Sequence, residues 1–217
     1  MTASQMNRTS SDKPFSRNRP LQFMTFAFIV YFGWMAIAPS DRMQWFANNT
    51  PLIAVVLALA FTYRRFRFSN RSYLLLLLFF CLHVYAAHYT YETTPFDAWL
   101  KTAFHTRRSY YDRFVHLAFG LLVVYPIREF ATAKMKFHSF WSYALPVVFV
   151  LAFSGLFEIL EWVAASVAGQ GGEAKFVGLQ GDPFDTQKDM VLGLIGAIAT
   201  IGMMALAAWG TRKVRQT

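Results

Sequence analysis

Six long apolar segments, separated by short polar stretches, dominate the hydrophobicity pattern of the chain. An α-helix rises about 1.5 Å per residue, so about 20 apolar residues cross a hydrocarbon core of about 30 Å. None of the segments shows the two-residue alternation of a membrane β-strand. We therefore predict an all-α, polytopic transmembrane bundle with six spans: Leu21–Ala38, Met43–Tyr63, Tyr73–Tyr89, Tyr110–Ile127, Phe140–Val167 and Met190–Trp209.

Two of these segments have an alternative interpretation. Polar residues from Asn48 to Pro51 leave only 52–62 strongly apolar, so the second segment is either a full span or a short or tilted one. The first segment ends in Ala36-Ile37-Ala38, which resembles a signal-peptide cleavage site. Since Pro39 follows directly and the polar leader is long, we expect an uncleaved anchor.

A shorter pattern between the third and fourth segments predicts an interfacial helix. Apolar residues recur there at helical spacing, while Lys101 and Arg107 lie off the apolar stripe. The stripe consists of Phe96, Trp99, Leu100, Ala103 and Phe104. This pattern predicts an amphipathic helix over Pro95–Arg107 on the membrane surface, either covering a site or acting as a simple anchor.

The basic residues are unevenly distributed over the loops. The chain has a net charge of +9, and alternate loops hold 14 of its Lys and Arg residues against 7 in the others. The positive-inside rule then places both termini in the cytoplasm. We predict a bacterial inner (plasma) membrane protein with a basic leader over 1–19, one transmembrane domain over 20–210 and a basic tail over 211–217. Its expected partner is the lipid bilayer, not nucleic acid.

Ionisable residues in or beside the spans are the candidate functional residues, because charges are costly in a bilayer. With both termini cytoplasmic, four helices carry such residues to one level near the extracytoplasmic face. These residues are His83, His88, Asp112, His116, Glu158, Glu161, Asp185 and Asp189. Glu158 and Glu161 lie one helical turn apart, and two such carboxylates in an apolar helix need cations, a metal or shared protons.

This set supports two kinds of chemistry. Carboxylates and imidazoles act as general acids and bases, and they also bind divalent metals. The predicted catalytic residues are Glu158, Glu161, His116, Asp112 and Asp189. The predicted ligands of a divalent metal cofactor are Glu158, Glu161, His116 and Asp189, with His83, His88 and Asp185 as weaker candidates.

Each group also has a structural interpretation. Asp189 follows Thr186 by three residues, as in a capping box at a helix start. Asp112 suits the first turn of a helix, and His83 and His88 suit the membrane interface. Three outer arginines are either ligands of a lipid phosphate or solvated loop charges: Arg107, Arg108 and Arg113.

Small residues in the last segment predict a close helix contact. They form a stripe that consists of Gly193, Gly196, Ala197 and Thr200. Such stripes let a second membrane helix approach closely. The preceding loop is rich in glycine and ends in Asp182-Pro183-Phe184-Asp185, so it is either a linker or a mobile lid.

Three motifs resemble the YjdF-like family of bacterial inner-membrane proteins. They are YDRFVH at 111–116, FEILEW at 157–162 and GDPFDTQKDM at 181–190. A looser similarity connects the chain to VanZ-like membrane proteins, which are linked to glycopeptide-antibiotic tolerance. It rests on Asp112, His116, Glu158, Asp189 and Gly193, although the VanZ-like pattern usually has Asn near the start of the last span. Both resemblances imply an inner-membrane location, and neither implies a reaction.

Three function classes are compatible with these features. The first is a membrane-embedded enzyme, with or without a metal, that acts on a lipid or lipid-linked envelope substrate at the outer leaflet. The second is a non-catalytic membrane factor whose polar cluster is structural. The third is a small ion- or proton-coupled transporter, which the apolar inner halves of the spans disfavour. The convergence of acids and imidazoles favours the first.

Overall fold

The computed structural model describes residues 13–172, 176 and 182–214, which form helices and connecting turns and contain no β-strand. The α-helices are α1 (Arg19–Met35), α2 (Arg42–Thr62), α3 (Asn70–Tyr89), α4 (Pro95–Phe104), α5 (Tyr111–Ala133), α6 (Trp141–Ala168) and α7 (Asp185–Val214). All six segments predicted as spans are therefore helical, and so is the predicted interfacial segment. The start of the leader, most of the glycine-rich loop and the last three residues of the tail lie outside the described residues.

Five of these helices are long and apolar enough to cross a membrane, namely α2, α3, α5, α6 and α7 up to Gly210. Helix α2 runs through Pro51 for 21 residues, which makes it a candidate for a full span by length and composition. Helix α1 has only 17 residues. At about 1.5 Å per residue it is about 25 Å long, against a hydrocarbon core of about 30 Å.

Helix α1 ends at Met35, earlier than the apolar pattern predicts. Proline disfavours a helical conformation in the residue before it. Ala38, which precedes Pro39, has a φ of +48°. The end of the first apolar segment is therefore a turn, and α1 is shorter than the predicted first span.

The long helices alternate in direction. At one end, the Ser40 N–H beyond α1 donates to the His88 carbonyl near the end of α3, at 2.9 Å. At the other end, Asn18 donates to Asn70 at the start of α3, at 2.8 Å. We call the end that contains His88 the upper end and the other the lower end. Helix α5 packs against α3, α6 and α7, so it lies at the centre of the bundle.

The lower end has its own polar contact. Glu129, near the end of α5, accepts hydrogen bonds from the backbone and hydroxyl of Ser69 at 2.7 and 2.8 Å. It also accepts one from Ser72. This carboxylate therefore joins α5 to the start of α3, far along the helices from the candidate site.

Helices α5 and α7 approach each other at glycines. A Cβ on Gly120 would lie 2.0 Å from the Gly193 carbonyl oxygen, and one on Gly196 would lie 2.4 Å from a carbonyl oxygen of α5. Thr200 donates to another α5 carbonyl at 2.9 Å. Ala197 is fully buried. The predicted small-residue stripe is thus confirmed as a helix contact.

Polarity in the bundle is arranged as expected for a protein in lipid. Large apolar side chains cover the outside, including Phe23, Ile29, Trp34, Phe61, Leu206 and Trp209. Buried polar side chains lie between the helices, including Gln44, Asn49, Ser72, His116, Ser154, Glu158 and Asp189. Because lipid offers no hydrogen bonds, polar groups at this depth need partners inside the protein.

We expect Gly120→Ala to destabilise the folded protein, by about 1 to 3 kcal/mol as in other overpacked contacts. Alanine is the better helix former by about 1 kcal/mol. Any loss of stability therefore comes from the contact with α7. Thermal unfolding of the purified protein in detergent micelles measures the effect.

The matched control is Gly202→Ala in α7, where a Cβ would meet no atom within 4 Å. Its unfolding midpoint should equal or exceed that of the wild type. If Gly120→Ala were as stable as Gly202→Ala, the close contact would be wrong.

Candidate functional site

Three helices bring ionisable side chains together at the upper end of the bundle. Asp112 and His116 lie in the first two turns of α5, and Glu158 and Glu161 lie in the upper part of α6. Asp189 lies in the second turn of α7. Glu158, Glu161, His116 and Asp189 are between 2% and 8% exposed, so the predicted acids face the interior of the bundle and not lipid.

The closest contact in this cluster joins an imidazole to a carboxylate. His116 Nε2 lies 3.1 Å from Glu158 Oε1 and 3.7 Å from Asp112 Oδ1. Both carboxylates therefore face the same ring nitrogen of His116. Low dielectric strengthens such an ion pair, although burial of the two charges opposes it.

The cluster contains more acids than bases. Glu161 is close enough to interact electrostatically with Asp112, Glu158 and Asp189. The nearest cations are His116 and Arg113, whose Nε lies 4.0 Å from Asp189 Oδ1. Four carboxylates and two cations leave an excess of negative charge, so protons or a bound cation must complete the balance.

Several buried oxygens in the cluster lack a hydrogen-bond partner among the described residues. They are Asp112 Oδ1, Ser154 Oγ, Asp189 Oδ1 and Glu158 Oε1, whose contact with His116 is an ion pair without hydrogen-bond geometry. Leaving a buried acceptor unsatisfied costs about 1–3 kcal/mol. These atoms are therefore available to water or to a polar group of a ligand.

A second polar group lies beside the cluster. His83 Nε2 contacts the Asn48 carbonyl at 2.9 Å, and His83 Nδ1 contacts the Tyr91 hydroxyl at 2.6 Å. Because a carbonyl only accepts, Nε2 carries the proton, and Tyr91 donates to Nδ1 if the ring is neutral. Burial raises the pKa of Tyr91 well above its ordinary value, so the hydroxyl keeps its proton. Phe157 packs against both His83 and His116.

The remaining candidates have other partners. His88 Nδ1 contacts the Met35 carbonyl at 2.9 Å, which places this histidine at the end of α1. Asp185, a predicted weaker metal ligand, pairs with Arg113 at 3.0 Å and with Arg108. Arg107 is exposed. The structure therefore does not gather His88 and Arg107 with the cluster.

The outer arginines form an ion-pair network with the last loop. Asp182 lies 3.1 Å from Arg108 and 2.9 Å from Arg113, and it also pairs with Lys188. The described end of this loop is thereby attached to the start of α5. Arg108 and Arg113 therefore pair with carboxylates of the protein, and their side chains are 17% and 19% exposed.

Asp189 is not part of a capping box. Helix α7 begins at Asp185, so Thr186 lies inside the helix and is not its N-cap. Asp189 is 2% exposed and faces the cluster. Its position therefore favours the functional interpretation over the capping one.

A short surface helix supports the start of α5. Asp97, in the first turn of α4, accepts hydrogen bonds from the backbone N–H groups of Tyr110 and Tyr111 at 2.8 and 3.1 Å. Phe96 packs against Tyr111, whereas Trp99 and Phe104 are exposed. The first turn of α5, which carries Asp112, is thus fixed by a side chain from α4.

Geometry gives the predicted metal set no support. Among the described residues, no three His, Cys, Asp or Glu side chains are arranged to hold a metal ion. The contacts in the cluster are instead pairs, chiefly His116 with Glu158.

Sequence reasoning missed three residues of the site. Ser154 lies one helical turn before Glu158, and this spacing could have placed it on the same helix face. Serine is common in membrane helices, so the spacing alone is a weak signal. Tyr91 and Asp182 lie in loops, where only the folded structure reveals their contacts with His83 and Arg113.

A helical bundle with five candidate spans and a buried polar cluster at one end defines a multi-pass membrane protein. The chain belongs to the family described as predicted membrane protein DUF2238, which matches residues 20–211. It is 33% identical over 189 residues to the inner membrane protein YjdF of Escherichia coli strain K12, covering 87% of this chain and 88% of that relative. No solved structure matches the chain.

These comparisons confirm two predictions from the sequence. The YjdF-like resemblance is correct, and the chain is a multi-pass protein of the inner membrane. The similarity to VanZ-like proteins stays a prediction.

We expect the ion pairs of Asp182 to make folding acid-sensitive. Lys188 is the main cause that lowers the pKa of Asp182, from 3.8 to about 2. Because the folded-state pKa is the lower one, the stabilisation is present above pH 3.8 and is lost as the pH falls towards 2. Unfolding midpoints of Asp182→Asn should therefore fall less on acidification than those of the wild type.

Two lysine variants separate this ion pair from general charge effects. Lys188→Met should flatten the acid dependence as Asp182→Asn does. Lys101→Met should not, since Lys101 contacts the Glu92 carbonyl instead. Identical acid profiles for Asp182→Asn and the wild type would contradict the assignment.

Proposed function

We propose that this protein is a membrane-embedded enzyme that performs acid–base chemistry on a lipid or lipid-linked substrate at the outer leaflet. The observation that carries the proposal is the buried contact of 3.1 Å between His116 and Glu158. A charged pair in a membrane span is costly and is usually kept for a functional reason. Its position beside unsatisfied oxygens gives a substrate polar groups to bind.

His116 Nε2 and Glu158 Oε1 are 3.1 Å apart, and among the described residues Glu158 Oε1 still lacks a hydrogen-bond donor. In the proposed reaction, either group would exchange a proton with a substrate atom that enters the cluster. Asp112, on the same ring nitrogen, would hold the imidazole in place. Glu161 and Asp189 would set the net charge of the site and hence its protonation.

Six spans with both termini in the cytoplasm are the topology that we propose. The alternating helices and the excess of basic residues, 14 against 7, on the loops of the lower end support it. Helix α1 would then cross a locally thinned region of the bilayer, as short spans do. The basic leader 1–19 and the tail 211–217 would flank one domain over 20–210, and the cluster would face the extracytoplasmic side.

Reporter fusions test this topology. Alkaline phosphatase, which is active only outside the cytoplasm, should be active when fused after Thr93 and inactive after Met135 or Thr217. Green fluorescent protein should give the opposite pattern. Phosphatase activity after Met135 would contradict the proposed orientation.

Loss of the proton-transfer pair should abolish function without loss of the protein. Removal of a general acid or base slows a reaction by about 100-fold or more. In cells that lack the gene, we expect the wild type to restore the membrane lipid profile and Glu158→Gln and His116→Asn to leave it unrestored. Lipid mass spectrometry measures the profile, and immunoblots of membranes check equal insertion.

His88→Asn is the matched control, because it changes a histidine of a span that lies outside the cluster. It should restore the profile fully. Full restoration by Glu158→Gln, or a deletion strain with unchanged lipids, would refute the proposal.

A structural role for the cluster is the second candidate. It is favoured by ion pairs at the same end of the bundle, in which Asp182 of the last loop contacts Arg108 and Arg113. These ion pairs connect the loop to the start of α5. It predicts that Glu158→Gln lowers the yield of folded protein. Normal yield and stability with a lost lipid phenotype would exclude it.

A further inference from the structure

An apolar cavity lies directly beside the candidate site. It has a volume of about 430 Å³ and is lined by residues from the middle of α2, α3, α5 and α6. Helices α2 and α6 border it and have at most marginal contact with each other. Val55 and Leu156, on these two helices, line the cavity and are 46% and 49% exposed. The cavity therefore opens sideways, where the bilayer surrounds the protein.

Among the described residues, the polar side chains that line this cavity lie towards its upper end and include Ser154. Its walls run along α5 from Val115 to Ile127, which is about 18 Å at helical rise. His116 lies at the upper end of this wall, with His83 and Tyr91 close by. Further down, the walls consist of aliphatic and aromatic side chains, such as Val123. A ligand that fits this space is polar at one end and hydrocarbon along the rest.

The dimensions agree with a single hydrocarbon chain. An apolar cavity of about 150 Å³ accepts a benzene molecule, so about 430 Å³ accommodates roughly three times as many carbon atoms. One leaflet contributes about half of a hydrocarbon core of about 30 Å, or about 15 Å. The wall of about 18 Å along α5 matches that depth. Water is a poor occupant, because it finds no partners along apolar walls.

We propose that this cavity binds one acyl chain of a membrane lipid, with the polar end of that lipid beside His116 and Glu158. That this lipid is the substrate rests on the proposed function, because the inference names the substrate class of the same site. Binding of the chain itself depends only on the cavity. The sideways opening lets a lipid enter from the surrounding leaflet without leaving the hydrocarbon phase.

Photolabelling tests the inference. The full-length protein is placed in vesicles of phosphatidylethanolamine and phosphatidylglycerol with a trace of phosphatidylglycerol that carries a diazirine near the end of one acyl chain. After irradiation, mass spectrometry locates the labelled residues. We expect labels on the cavity wall between Val115 and Ile127. Labels confined to outward-facing side chains such as Phe23 and Leu206 would overturn the proposal.

A substitution at the opening provides the matched comparison. Ala54 lines the cavity and is exposed, so Ala54→Trp should block entry with little effect on folding. It should reduce cavity labelling several-fold. Ala60→Trp, on another face of the same helix and outside the cavity, should label as the wild type does. Equal labelling of the two variants would overturn the proposal.

Two further arms separate the possible outcomes. A prenyl phosphate probe that labels the wall more strongly than the phospholipid would overturn the assignment to an acyl chain. Glu158→Gln should keep the labelling, because it leaves the apolar walls unchanged. If the cavity is labelled but Glu158→Gln still restores the lipid profile, the proposed function is refuted and the acyl-chain site is not. If the cavity is not labelled but the lipid profile depends on Glu158, the acyl-chain site is refuted and the proposed function is not.

Discussion

The backbones of α5 and α7 meet at Gly120, Gly193 and Gly196, and the candidate site depends on this contact. His116 lies one turn before Gly120, and Asp189 lies one turn before Gly193. The contact therefore holds an imidazole and a carboxylate from distant parts of the sequence at one level. Helix α6 joins them there, since a Cβ on Gly193 would lie 2.7 Å from the Ser154 hydroxyl. Larger side chains would move the three helices apart and separate the acids from His116.

Charge at the upper end is divided between two groups of contacts. Near the surface, arginines and acidic residues pair with each other, so that, for example, the charges of Arg113 and Asp182 offset each other. Deeper in the bundle, Glu158 contacts His116, Glu161 is close to other carboxylates, and acids exceed bases among the described residues. In lipid, such an imbalance is stable only with protons or a bound cation. The deeper group is therefore the part of the molecule whose protonation a substrate can change.

Much of this architecture could be predicted from the sequence, because membrane helices follow local rules. The lengths of the apolar segments predicted each of the long helices, and the small-residue stripe predicted the contact between α5 and α7. Helix direction, taken from the loop charges, predicted that Glu158 and His116 share one level. Contacts made by loops could not be predicted in this way. Asp182 binds Arg113 across 69 residues, and Asp185 is occupied by arginines where a metal ligand was expected. The end of α1 at Met35, before the end of the apolar segment, could not be predicted from apolar length either.

Asp97 gives the surface helix α4 a mechanical role. Its carboxylate satisfies backbone amides at the beginning of α5, so the two helices meet as a rigid corner. Trp99 and Phe104 are exposed at this corner. If α4 lies on the membrane surface as its amphipathic pattern predicts, movement of α4 in the headgroup region would shift the turn of α5 that carries Asp112. The geometry of the site would then depend on the lipid that surrounds the protein.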